Sequence, residues 1–164
     1  MDPSQLSFLI TKVLKEIDLY SQEAVDLLML TAAQESHCGK YIYQLGKGPA
    51  LGIFQMEPRT LEDLHQNYLY FRRGIAARLE QFKTPFHSFD LEGNIPYQIA
   101  AARLYYYRFP AIIPRREWFK ADDDFLYVSA LARYWKKYWN TYAGAGTVKE
   151  AVNNYNLYVR ENNI

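Results

Sequence analysis

The residues best suited to chemistry lie in two neighbouring stretches, Thr31-Ala-Ala-Gln-Glu35-Ser36-His-Cys-Gly39 and Ala50-Leu-Gly52-Ile-Phe-Gln55-Met-Glu57-Pro58-Arg-Thr60. The first places Glu35 at the C-terminal end of a mostly apolar helical run, facing a glycine-rich segment. Burial and the negative end of the helix dipole both disfavour a carboxylate there. Glu35 could therefore keep its proton near neutral pH and serve as a general acid. Ser36 and Gln55 could orient it or contact a ligand, and the glycines would let backbone approach that ligand closely. The plainer alternative is a solvated glutamate near a helix end. Composition and spacing leave both open.

Other candidates are weaker. His37 and Cys38 suggest a thiol nucleophile, but adjacent helical residues do not face one another and no supporting Asn or Asp is evident. A packed cysteine is expected instead. His37, His65 and His87 lack metal-ligand spacing, so no metal and no cofactor is expected. Arg72-Arg73 and Arg115-Arg116 could contact anionic groups, or simply be solvated. A second carboxylate is hard to find. There is no Asp or Glu between Glu35 and Gln55. Glu57, the first one downstream, reads as solvated or structural before Pro58, and Asp63 as a helix cap. Asp90 lies too far along the chain to place.

The elements that must position these residues read as helical almost throughout. Pro3 suits a first helical position, with Leu6, Leu9, Ile10, Val13, Leu14 and Ile17 at helix spacing. Ser21 can cap a second helix, with Val25, Leu28 and Ala32 on one face, and Gly39 would end it. Residues 39 to 56 break the helical pattern and read as a loop or short irregular hairpin. Pro58 and Thr60 introduce a further helix, Thr60 and Asp63 standing near capping-box spacing. Leu61, Leu64, Tyr68 and Phe71 continue on one face, and Ile75, Leu79 and Phe82 follow an irregularity near Gly74. After a connection from Pro85 to Gly93, Asn94 opens a helix that Pro110 stops. Asp122 to Asp124 begin a helix rich in Tyr and Trp that runs to about Asn140. Thr147 and Glu150 form a capping box for the last one. The expectation is a single all-α domain over 1–164, with no repeat or linker.

Composition narrows the partners. The chain has 164 residues, about half of them apolar, and a formal net charge of +1. That charge argues against duplex nucleic acid as a partner. No apolar run approaches the roughly 18 residues of a membrane span. No secretory signal is read at Met1-Asp2-Pro3-Ser4, and the lone Cys38 suits synthesis in the cytoplasm. The chain carries 15 Tyr, 9 Phe and 3 Trp. Such side chains can stack on sugar rings, although most are expected to pack helix against helix.

The paired stretches resemble the signature of soluble lytic transglycosylases and goose-type lysozymes, in the lysozyme-like superfamily. There a Glu-Ser pair followed by Gly precedes a Gly-Leu-Met-Gln-x-x-Pro-like segment. Here stand Glu35-Ser36 with Gly39, then Gly52-Ile53-Phe54-Gln55 and Pro58. Phe54 replaces the family's Met at a packing position. The match covers about residues 28 to 60. The resemblance implies a lysozyme-like fold with Glu35 as catalytic acid, Ser36 beside it and Gln55 in the sugar cleft. The family's third motif, Ala-Tyr-Asn-Ala-Gly-like, finds a looser counterpart. Tyr138 or Tyr142 stands for its tyrosine and Asn140 for its asparagine.

The implied activity is cleavage of the β-1,4 bond between N-acetylmuramic acid and N-acetylglucosamine in peptidoglycan glycan strands. A lone acid suits the transglycosylase reaction, which needs no metal or cofactor, whereas a lysozyme would also need a base. The combination is most similar to small bacteriophage members. Such a protein would be made without a signal peptide and reach the wall by virion delivery or at lysis, with other virion proteins as possible partners. The competing expectation is a non-catalytic phage structural or wall-binding protein that keeps the fold.

Overall fold

A computed structural model describes residues 1–85, 89–121, 123–141 and 143–161. Among them are eight α-helices and no β-strand. They are α1 (Pro3–Glu16), α2 (Gln22–Ser36), α3 (Pro58–Asn67), α4 (Arg73–Glu80), α5 (Asp90–Gly93), α6 (Ile95–Tyr107), α7 (Asp124–Trp135) and α8 (Val148–Tyr155). Two π-helical turns, Lys136–Asn140 and Asn156–Arg160, prolong α7 and α8.

Two helices form the centre because their sequences are apolar nearly all round, not on one stripe. In α2 every residue from Leu27 to Ala33 is buried, and in α6 every one from Tyr97 to Ala102. Alanines at 24, 32, 33 and 100 to 102 let neighbouring backbones approach. Thr31 and Tyr106 tie the two helices together through their hydroxyls at 2.8 Å, both fully or nearly buried. Helix α1 packs on both, while α7 and α8 pack against α2 from another side.

Helix starts follow side-chain chemistry. Asp2, Ser21, Asn94 and Asp123 each accept a backbone N–H from the first turn, and Thr147 and Glu150 form a reciprocal capping box. The start expected at Asp122 lies outside the described residues. Helix α3 departs from expectation. It starts at Pro58, with Glu57 as an N-cap that makes no side-chain bond. Asp63 therefore sits inside the helix, where it takes Asn67 Nδ2 at 2.7 Å and an ion pair from Arg108 at 2.5 Å instead of capping. The irregularity expected at Gly74 falls earlier, as a 3-10 turn over Leu69–Phe71. That turn buries Leu69 and leaves Phe71 exposed.

The segment between α2 and α3 is a loop held by isolated antiparallel bridges, Tyr43 to Leu51 and Leu51 to Met56. No helix among the described residues is long and apolar enough to cross a membrane.

Candidate active site

Glu35 is the penultimate residue of α2 and opens onto a cleft of about 620 Å³. Helix α2 ends because His37, Cys38 and Gly39 all take left-handed backbone angles, turning the chain sharply out of the helix. The returning loop forms one wall of the cleft, with Tyr41, Gln55 and Glu57 on it. Another wall comes from Asn140, Thr141 and the segment from Ala143 to Gly146.

The environment of Glu35 sets its proton affinity. Burial pushes the carboxyl up to about 7, against an opposing contribution from the Trp135 indole. Trp135 Nε1 donates to Glu35 Oε1 at 3.0 Å, and the indole itself is completely buried. A hydrogen bond to the charged form favours it, so Trp135 restrains a larger rise. The outcome is a carboxyl group close to half-protonated at neutral pH, facing an open cleft. That is the condition for a group that must give and then take a proton.

The loop wall is fixed from behind. Ser36 is fully buried. Its hydroxyl donates to the Ile53 carbonyl at 2.6 Å and accepts from the Gly39 N–H at 2.8 Å. It is thus a brace between α2 and the loop, and the expected ligand contact does not fit that placement. Gly52 has φ +75°, and a Cβ there would meet the Leu91 carbonyl oxygen at 2.2 Å. Only glycine lets the loop lie this close to α5 and α6, where Ile53 N–H reaches Gln98 Oε1 at 2.8 Å. Gln55 lines the cleft, but its Nε2 donates to the Gly52 and Ile42 carbonyls at 2.8 and 3.3 Å. It stiffens the wall from within the cleft.

On the other wall, Asn140 lines the cleft and accepts from Lys136 Nζ at 2.7 Å. The same ammonium reaches the Gly144 carbonyl at 2.8 Å, tying Gly144 to the π-helical turn. Gly146 passes against Trp135, a Cβ there falling 2.7 Å from the indole. Tyr138 does not line the cleft. It packs on Tyr134 and Phe109, ring centroids 4.5 and 4.8 Å apart, so it is a packing residue in this structure. Tyr142 lies outside the described residues.

Sequence reasoning missed the aromatic floor. Trp139 packs against Tyr105 and Tyr106 at 5.0 and 5.2 Å, and both Trp139 and Tyr105 face the cleft. Trp135 and Trp139, four positions apart, share a helix face; that spacing was the signal available. Glu57 also turns out to line the cleft, 30% exposed and paired with Arg59 at 2.6 Å. Among the described residues, Glu35 and Glu57 are the carboxylates on its walls.

The competing chemistry finds a plain physical account. Cys38 is buried and burial pushes its thiol up to about 11, far from a ready thiolate. His37 stacks on Tyr158 at 4.3 Å. Among the described residues no three His, Cys, Asp or Glu side chains gather as metal ligands would, and His87 lies outside them.

No protein-family model matches the chain, and no curated protein or solved structure matches it significantly.

Proposed function

We propose that this chain is a peptidoglycan-cleaving glycosidase of the lysozyme and lytic transglycosylase superfamily, with Glu35 as its acid and then its base. The observation that carries this reading is a carboxyl raised to about 7 on the wall of a cleft floored by Trp139 and Tyr105. The motif resemblance around Glu35 and Gln55 points the same way.

In the transglycosylase course, Glu35 gives its proton to the glycosidic oxygen as the bond from the muramic C1 breaks. The substrate's acetamido group stabilises the positive centre at C1. The Glu35 carboxylate then takes the proton of the sugar 6-hydroxyl, whose oxygen bonds to C1 and closes a 1,6-anhydro ring. The carboxyl ends as it began. A second course has one specific observation in its favour, the presence of Glu57 on the cleft wall. Freed from Arg59, Glu57 could activate a water, and the product would be an ordinary reducing end.

Digestion of purified peptidoglycan by wild type, Glu35→Gln and Glu57→Gln, read by mass spectrometry, tests both. We expect anhydromuramic ends from wild type and Glu57→Gln, with Glu35→Gln slower by about 10²-fold or more. Reducing ends lost in Glu57→Gln would establish the hydrolytic course. Failure of wild type to release fragments from walls of several chemotypes would sink the enzyme reading and favour a wall-binding or virion structural role.

A further inference from the structure

A second cleft, of about 760 Å³, opens at the other end of α2 and shares no lining residue with the first. Ser21 and Glu23 stand on its rim, whereas Glu35 lies some 20 Å away along the helix, at about 1.5 Å per residue. Its distinguishing group is Arg103 on α6. The Nε of Arg103 donates to the Leu19 carbonyl at 3.1 Å, which fixes the guanidinium plane. Burial lowers the proton affinity of that guanidinium, and its near neighbours are the neutral phenols of Tyr134, Tyr107 and Tyr68. No carboxylate pairs with Arg103 among the described residues.

Arg72 flanks the same tyrosines. Its guanidinium lies over the Tyr68 ring at 4.3 Å, and that of Arg103 lies 5.3 Å from the Tyr107 ring. Two arginines that make no ion pair with a carboxylate among the described residues thus both neighbour Tyr68, whose carbonyl also takes a hydrogen bond from Arg72 at 3.3 Å. Two carboxylates share the cleft's lining: Glu117 pairs with Arg115 at 3.3 Å, and Glu23 stands by Ser21 with its charge felt at Tyr127, making no ion pair with either arginine among the described residues. Phe109, Ile112 and Ile113 continue the lining as an apolar wall. A partly buried guanidinium is costly to leave without an anion, and its planar fork matches a carboxylate or phosphate.

We propose that this cleft binds an organic oxyanion, a carboxylate or phosphate carried on an apolar or ring-shaped body. Arg103 and Arg72 hold the oxyanion, and the wall of Phe109, Ile112 and Ile113 holds the body. The site is independent of glycan cleavage at Glu35.

The test is side-chain NMR of the arginine Nε–H groups in the full chain, titrated with phenyl phosphate, benzoate, phenol and inorganic phosphate. We expect saturable shifts at Arg103 with phenyl phosphate, benzoate or both, and the preferred one identifies the anion. Phenol should not saturate, and inorganic phosphate should bind more weakly. Arg72→Gln, a change at an exposed position, should weaken binding about tenfold, and Arg103→Met should abolish it. Glu35→Gln should bind as wild type does. Absence of saturation with every probe, or saturation undiminished in Arg72→Gln, overturns the proposal. Equal affinity for inorganic and phenyl phosphate would refute the role of the wall.

Discussion

At the scale of single residues, the hydrogen bond from Trp135 to Glu35 decides how the acid is tuned. Glu35 is raised to about 7 by burial, while the indole N–H draws it back. Replacing Trp135 by Phe removes the donor and leaves most of the apolar bulk. The carboxylate then loses its stabilising partner, and the proton affinity of Glu35 rises further. In the proposed reaction Glu35 works as a general acid while protonated, so activity falls as pH climbs through its pKa. The alkaline limb of kcat/KM should therefore move to higher pH in Trp135→Phe. A limb that stays in place, with only a uniform loss of rate, would show that Trp135 acts through packing alone. Tyr41 feels the same carboxylate, since the Glu35 charge adds to the burial that raises its phenol. It faces the cleft as a neutral hydroxyl, able to donate.

Between elements, the site depends on how a loop is clamped to two helices. Ser36 supplies one clamp, and its loss would strand the buried Ile53 carbonyl and the Gly39 N–H. Ser36→Ala should cost about 2 kcal/mol, lowering Tm by about 4–8 °C for a chain of this size. Calorimetry beside glycan kinetics separates this from substrate contact, because a raised KM at unchanged Tm would restore Ser36 as a ligand residue. The helices around the loop were legible in advance where side chains act locally. Ser21, Asn94 and the Thr147–Glu150 pair announce their caps within three residues. The place of Glu35 at the end of an apolar run was legible too, but that run alone left a solvated glutamate equally open. What stayed hidden depends on distant parts of the chain. Trp135 meets Glu35 across 100 positions. The closeness of Gly52 to Leu91 arises only once α5 and α6 are in place. Asp63 was misread because α3 starts at Pro58, which puts Asp63 inside the helix, and because its partner Arg108 stands just past the end of α6.

For the molecule as a whole, a raised carboxyl is a stability cost that depends on pH. Glu35 in the folded chain holds its proton to about 7, against an ordinary value of 4.5. Between those values the folded state binds more protons than the unfolded one, so stability falls as pH rises. The favourable contribution is complete below about pH 4.5 and lost above about pH 7. Its upper limit is about 3 kcal/mol, reduced in practice because the carboxyl meets water in the cleft. Gln at this position has no charge to bury and can still accept the Trp135 N–H through its amide oxygen. Glu35→Gln should therefore melt several degrees above wild type at pH 8 and level with it at pH 4. Other carboxylates are lowered in the fold, Asp63 by Arg108 and Glu150 by Thr147, and they act in the opposite sense in both proteins alike. The difference between the two melting curves thus isolates Glu35. A constant offset across pH would mean that Glu35 does not carry the strained proton, and the general-acid reading would lose its physical basis. An offset that grows from pH 4 to pH 8 would show stability given up at one residue for a group that can donate a proton at neutral pH.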